Sequence, residues 1–324
     1  MKPIERVQCV LDGRRPDHPP VSFWHHFAPD QVHGPAAVAA HVAHVETFDL
    51  DFLKVMNDNP YPHATPVESI GDLASLTVMR GDEPEFARQL DLLADLKRSL
   101  RGPVLMTTTI FNAWATLRRL VRPPTRHGPP NLEADDEASR IIKVWYAEDP
   151  AAVTTAIRTI ASSLGSFARR CVDAGADGIF LSVRDDWVDS PADTTRLYDK
   201  LVRPTDLEIL AGAAAGRLNM LHVCGKAVDL RAFAEYPVHA LNWADRAAGP
   251  AIAAVSGWAR PAICGGIDNL TTLPNRTAAE CENEVIEALK QAGDRPIMIA
   301  PGCTYDPERV PRENLQAVCH AARR

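Results

Sequence analysis

Eight short apolar runs punctuate the chain, and they constrain its fold more than any other feature. They are VSFWHHF (21–27), FLKVMND (52–58), VLMTTTIF (104–111), GIFLSV (178–183), LNMLHVC (218–224), HALNWAD (239–245), AICGGID (262–268) and IMIAPGC (297–303). Each is too short for a buried helix and rich in apolar residues, the pattern of strands covered on both faces. Amphipathic stretches separate them. From Val153, apolar residues recur at Ile157, Ile160, Leu164, Phe167 and Cys171, which is one face of a helix, and Gly175 is placed to end it in a left-handed cap. FARQLDLLADLKRSL (86–100) and AAECENEVIEALKQAG (278–293) follow the same period, and Thr277 with Glu280 predicts a capping box ahead of the second. RENLQAVCHAARR closes the chain as a final helix. Eight strands alternating with helices predict an α/β fold of the (β/α)8 TIM-barrel kind, a single domain over residues 1–324. A length of 324 residues and 46% apolar content suit one such barrel.

One stretch departs from the alternation. An insertion at about 112–148, between the third and fourth runs, has a Pro-rich middle and predicts helix, loop, helix. It reads equally as a lid over the barrel mouth and as a surface insertion without a role. Acidic and basic residues are mixed along the chain, with a net charge of −7 and no basic stripe, which argues against nucleic acid as a partner. No run of 18 apolar residues appears, so no membrane span is expected. The N-terminal MKPIERVQCVLDGRRPDHPP lacks the apolar centre of a secretory signal, so the cytoplasm is the expected location. Seven scattered cysteines, an odd number, then predict thiols or metal ligands rather than a disulfide framework.

In a barrel of this kind the chemistry gathers at the C-terminal ends of the strands. The runs end in His25 and His26, in Asn57 and Asp58, near Asn112, before Arg184, Asp185 and Asp186, in His222 and Cys224, in Asn242, Trp243 and Asp245, in Asp268 and in Cys303. Asp245 and Asp268 also stand where helix N-caps stand, so they read as caps as readily as pocket residues. His222 and Cys224 are two apart on one strand and point the same way. Cys303 ends the last strand, across a pore of modest width. One imidazole and two thiolates suit tetrahedral zinc, and three protein ligands leave the fourth position open, as in a catalytic site. The alternative is a core histidine with two small buried thiols. Gly225 and Gly302 flank the two cysteines and suit either reading.

Longer stretches carry a resemblance. ERVQCVLDGRRPDHPPVSFWHHF, DAGADGIFLS, LHVCGKAVDLRAFAEYPVHALNWAD, CGGIDNLTTL and IAPGCTYDPERVPRENLQAV together resemble the uroporphyrinogen decarboxylase superfamily, nearly end to end. Within it the chain is most similar to the cobalamin-dependent branch that includes the methylcobamide:coenzyme M methyltransferases. That resemblance implies zinc held by His222, Cys224 and Cys303. The decarboxylase branch carries an arginine-bearing motif after its first strand and a histidine where Cys303 stands. Here the first place reads SFWHHFAPD, with no arginine.

The resemblance implies a methyltransferase that moves a methyl group between a corrinoid (cobalamin), bound in trans as carrier or carried by a partner protein, and a small thiol or methylated substrate. Zinc would lower the pKa of the thiol. Asp268, His25 and Asp185 are the candidate catalytic residues, with Asp268 a candidate partner for His222. His26, Asn57, Asn112, Trp243 and Tyr305 are candidates for substrate contact; Trp243 could pack against a flat macrocycle, but a buried core residue is the more frequent case for such a tryptophan. Two other activities fit the same residues less closely: a zinc-dependent demethylase or lyase on a small methylated compound, and a porphyrin-type decarboxylase needing no metal. A homodimer is an expectation of the barrel class rather than of any residue.

Overall fold

The structure, a computed structural model, describes residues 1–123, 132–184 and 197–324. In chain order its main elements are α1 (Pro3–Leu11), α2 (Gly34–Phe48), β1 (Phe52–Val55), α3 (Pro84–Ser99), β2 (Leu105–Phe111), α4 (Ala113–Val121), α5 (Leu132–Glu148), α6 (Pro150–Asp173) and β3 (Gly178–Arg184). They continue with α7 (Arg203–Gly212), β4 (Met220–Cys224), β5 (Ala240–Trp243), α8 (Ile252–Ser256), β6 (Ala262–Ile267), α9 (Thr272–Asn275), α10 (Ala278–Ala292), β7 (Ile297–Pro301) and α11 (Arg312–Ala322). The seven strands form one parallel sheet in sequence order, β1 to β7.

Seven of the eight expected strands are present, and the first is a correction. Residues 20–25 run extended beside β7 but form only isolated bridges, Val21 with Ile299 and His25 with Tyr305. Ser22 N–H donates to Ile299 O (3.1 Å) and Ile299 N–H to Pro20 O (2.8 Å). On the other flank Asp51 N–H donates to Val21 O (2.9 Å). Two further positions are taken by side chains: Val21 N–H donates to the Asp51 carboxylate (2.9 Å), and Ser22 Oγ donates to Phe52 O (2.7 Å). Side-chain bonds stand where a regular ladder would use backbone, so a strand is not formed although the segment lies between β7 and β1.

The helices form for the reasons their sequences suggest. On α6, Asp149 caps the N-terminus by accepting from Ala151 and Ala152 N–H (3.0 Å each), and Val153, Ile157, Ile160, Leu164, Phe167 and Cys171 are all buried. Gly175 beyond it has φ +113, and an added Cβ would crowd the Lys97 side chain at 3.1 Å. The capping box ahead of α10 is present, with Thr277 N–H on Glu280 (2.9 Å) and Glu280 N–H on Thr277 Oγ1 (3.3 Å). In the 112–148 stretch, α4 and α5 both pack on α6; residues 124–131 lie outside the described residues.

Strand parity divides the apolar residues in two. Leu53, Ile110, Ile179, Leu221, Leu241 and Ile263 face the helices in the larger cluster. Phe52, Met56, Leu105, Phe180, Met220, Cys264 and Met298 face inward in a second, smaller one, joined by Trp24. Among the described residues no helix is long and apolar enough to cross a membrane.

Candidate metal centre

The site grows from the inward face of β4. His222 and Cys224 stand there, and Cys303 follows the end of β7. β4 and β7 are three strands apart, roughly 14 Å across a flat sheet. The ligand atoms of His222, Cys224 and Cys303 nevertheless all lie within 4.8 Å of one another, so the sheet curls strongly. Gly302 permits the approach at the β7 end. A Cβ there would meet Ala244 Cα at 2.5 Å, beside the end of β5. Its N–H donates to Ile267 O (3.0 Å).

Asn242, in register with His222 on the neighbouring strand, sets the imidazole. The Asn242 amide is fully buried. Its Nδ2 donates to Cys264 O (2.9 Å) and Pro301 O (3.1 Å), so Oδ1 faces His222 Nδ1 at 2.7 Å. An acceptor at Nδ1 requires the proton there and leaves the Nε2 lone pair for a ligand. One amide thus orients His222 and also ties down the carbonyl just ahead of Gly302 and Cys303. Phe180 stacks on the His222 ring at 5.4 Å.

The Cys303 thiol is pushed well below its ordinary range. A hydrogen bond from Cys224 is the main cause; burial works against it, and His222 and the charge of Lys54 assist. A tetrahedral ion with bonds of roughly 2.0–2.3 Å sets its donors roughly 3.5–4 Å apart. One imidazole nitrogen and two cysteine sulfurs within 4.8 Å fit zinc on both donor type and spacing. Among the described residues no fourth His, Cys, Asp or Glu joins the group, and no disulfide forms among the seven cysteines.

The other sequence candidates fall into three places. Around the mouth, His25 stacks on Tyr305 (5.1 Å) and packs against Phe27 and His44. Burial, aided by the neighbouring His44, His26, His41 and Lys54, drives the His25 imidazole down to about 3, so it is uncharged at neutral pH and no imidazolium acid. Burial pushes the Tyr305 phenol up. His26 is exposed at the rim, its Nδ1 2.6 Å from Asp58 Oδ1. Asn57 is half-buried, donating to Thr109 O (3.2 Å) and accepting from Asn59.

Three candidates belong to the scaffold. Asn112 is fully buried: Oδ1 caps α4 through Ala115 N–H (2.9 Å) and Nδ2 donates to Asp206 (2.9 Å), so both polar atoms are engaged in the scaffold. Trp243 is fully buried in the outer cluster, its Nε1–H on Pro250 O (2.7 Å), and no macrocycle can stack on it. Asp268 accepts from Leu270 and Thr271 N–H (2.8 and 3.1 Å) and so caps the turn into α9, while the His222 partner is Asn242. Asp185 lies outside the described residues.

Two residues escaped sequence reasoning. Asn242 stood at a strand end but had no role, because its function depends on β4 register. Lys54, a charge inside the run FLKVM, is buried on the inward face; a lone cation in such a run is itself a signal.

Residues 21–324 match the family described as uroporphyrinogen decarboxylase (URO-D), and the chain belongs to that family. Among solved structures it is similar to a methyltransferase from Methanosarcina mazei, at 16% identity and a TM-score of 0.74, over 99% of this chain and 98% of that one. Fainter likenesses join it to a B12-independent methionine synthase from Shewanella sp. W3-18-1 (13% identity, TM-score 0.48, 71% of this chain and 65% of that one). Another is to the homocysteine methyltransferase MmuM from Escherichia coli (12% identity, TM-score 0.43, 97% and 99%). At 16% identity the first of these likenesses describes the fold alone. No curated protein matches the chain.

Proposed function

We propose that this protein is a zinc-dependent methyltransferase that moves a methyl group between a corrinoid, supplied in trans, and a thiol. The observation that carries the reading is the trio His222, Cys224 and Cys303, within 4.8 Å, with no fourth protein ligand among the described residues. Zinc held there would lower the pKa of a thiol, so that a sulfur nucleophile would be present at neutral pH. The two cysteines and His222 would hold the metal. Two thiolate donors leave an acceptor sulfur electron-rich, which suits attack on a methyl carbon better than activation of water. Asn242, accepting from Nδ1, orients the His222 ring so that Nε2 is the nitrogen left for a ligand. The buried rings of Trp24 and Phe180 line the interior and exclude water from it.

The whole-chain likeness to the Methanosarcina mazei methyltransferase supports the same reading. Porphyrin decarboxylation is disfavoured by charge. Several propionates need cationic partners, whereas SFWHHFAPD offers only histidines, and His25 is uncharged near pH 7. The test is metal analysis of the purified protein, followed by incubation with methylcobalamin and a panel of thiols. Stoichiometric zinc and thiol-dependent loss of the methyl–cobalt absorbance are expected; a zinc-free, inactive protein overturns the proposal.

A further inference from the structure

We infer that Lys54 is a positioning residue of the sulfur site: it supplies the buried positive charge that offsets an anionic acceptor sulfur brought in beside Cys303. The inference rests on the thiol reading above and adds a residue to it. Lys54 sits on β1 between Phe52 and Met56, all three on the inward side. It is 4% exposed, and every other described lysine is exposed. Nζ lies 4.6 Å from the Phe180 ring centroid and 5.7 Å from that of Trp24. Phe180 also stacks on His222, which puts one ring in contact with both the cation and a metal ligand.

The ammonium is poorly matched by the protein alone. Its hydrogen-bond acceptor is the Met56 thioether, at 3.2 Å. Among the described residues no carboxylate lies within 4.0 Å of Nζ. Thr107, in register with Lys54, and Thr109, in register with Phe180, have buried hydroxyls with no partner, so they do not accept from it either. A buried ammonium without an anion is costly, and aromatic faces offset only part of the cost. Burial draws the lysine down to about 8, against the opposing pull of Cys303 and Asp58, so it is mostly charged at neutral pH. The arithmetic of charge completes the argument. Two cysteine thiolates and one divalent cation sum to zero. A third thiolate leaves one negative charge in a dry interior, and Lys54 cancels it.

The test uses Lys54→Met, of similar length and uncharged, with Lys54→Arg as the charge-preserving control. Three measurements decide: thermal stability of the metal-free proteins, zinc content, and calorimetric binding of ethanethiol, whose tail carries no charge, to the zinc-loaded proteins. The Met variant is expected to melt no lower than the parent, to keep its zinc, and to bind ethanethiol about tenfold or more weaker, with Arg restoring most of the affinity. A lower melting temperature assigns Lys54 to the fold and overturns the inference, as does zinc loss or unchanged thiol affinity. If the parent protein itself binds neither zinc nor ethanethiol, the methyl-transfer reading fails. If the parent binds both and the Met variant matches it, only the role of Lys54 fails.

Discussion

The outward and inward faces of the same strands are equally buried and chemically unlike. Outward, Leu53, Ile179, Leu221, Leu241 and Ile263 meet the helices in a continuous apolar layer. Inward, one residue away on each strand, stand Lys54, Phe180, His222, Asn242 and Cys264. The outer face needs only volume and hydrophobicity, which many sequences supply. On the inner face each polar group must be answered by a specific partner or by a ligand. Burial alone therefore says nothing about function here; what separates the faces is whether hydrogen bonds and charges close among the protein's own atoms.

The contrast can be broken most severely at the inner face. Cys303→Ser is expected to leave the protein without stoichiometric zinc and without detectable methyl transfer, while circular dichroism and melting temperature stay near those of the parent. A variant that keeps both zinc and activity would show that the trio is a core feature and not a site. Leu93→Ala asks the complementary question of the outer face. Leu93 is fully buried on α3, and its truncation is expected to cost about 2–5 kcal/mol in urea unfolding. Activity per folded molecule should not change; a matching loss of turnover would mean that the two faces are not separable.

Asn242→Leu tests whether one amide joins the two ligand strands. It leaves His222 without its Nδ1 partner and two carbonyls without their donor. Zinc affinity measured against a competing chelator is expected to fall about 10–100-fold. An unchanged affinity would show that His222 is held by packing on Phe180 alone.

These residues also mark how far the chain could be read in advance. The later strands were legible to within about two residues, because an apolar run between helices has few alternatives; Gly178–Arg184 and Ala262–Ile267 nearly coincide with their runs. VSFWHHF was not, since its would-be ladder is taken by Asp51 and the Ser22 hydroxyl, a tertiary detail. The meeting of His222, Cys224 and Cys303 was legible from strand parity and chain position. Trp243 follows the core reading that its type favours, for the same reason in reverse: it is one residue from Asn242 and so points to the other face. Asn112 lies just past β2, where its side chain caps α4 and never reaches the mouth. Asn242 required register, which no single run contains, whereas the lone lysine inside FLKVM was a signal within one run.

A last expected effect concerns a polar group that sits outside the inner face altogether. Asp206 of α7 is fully buried and accepts from Tyr236 Oη (2.8 Å) and Asn112 Nδ2 (2.9 Å). Burial raises its carboxyl to about 7 against those two hydrogen bonds. The folded protein therefore holds a proton that the unfolded chain releases near the ordinary value of 3.8. For a group shifted upward, the stabilising contribution is complete below the unfolded value and is lost as pH rises through the folded one. Between about pH 4 and 7 the melting temperature should accordingly lose this contribution in the parent and not in Asp206→Asn, whose amide does not titrate. Parallel curves for the two proteins would show that Tyr236 and Asn112 hold Asp206 ionised throughout. In that case the helical layer would keep a buried charge with two neutral hydrogen-bond donors and no counter-charge.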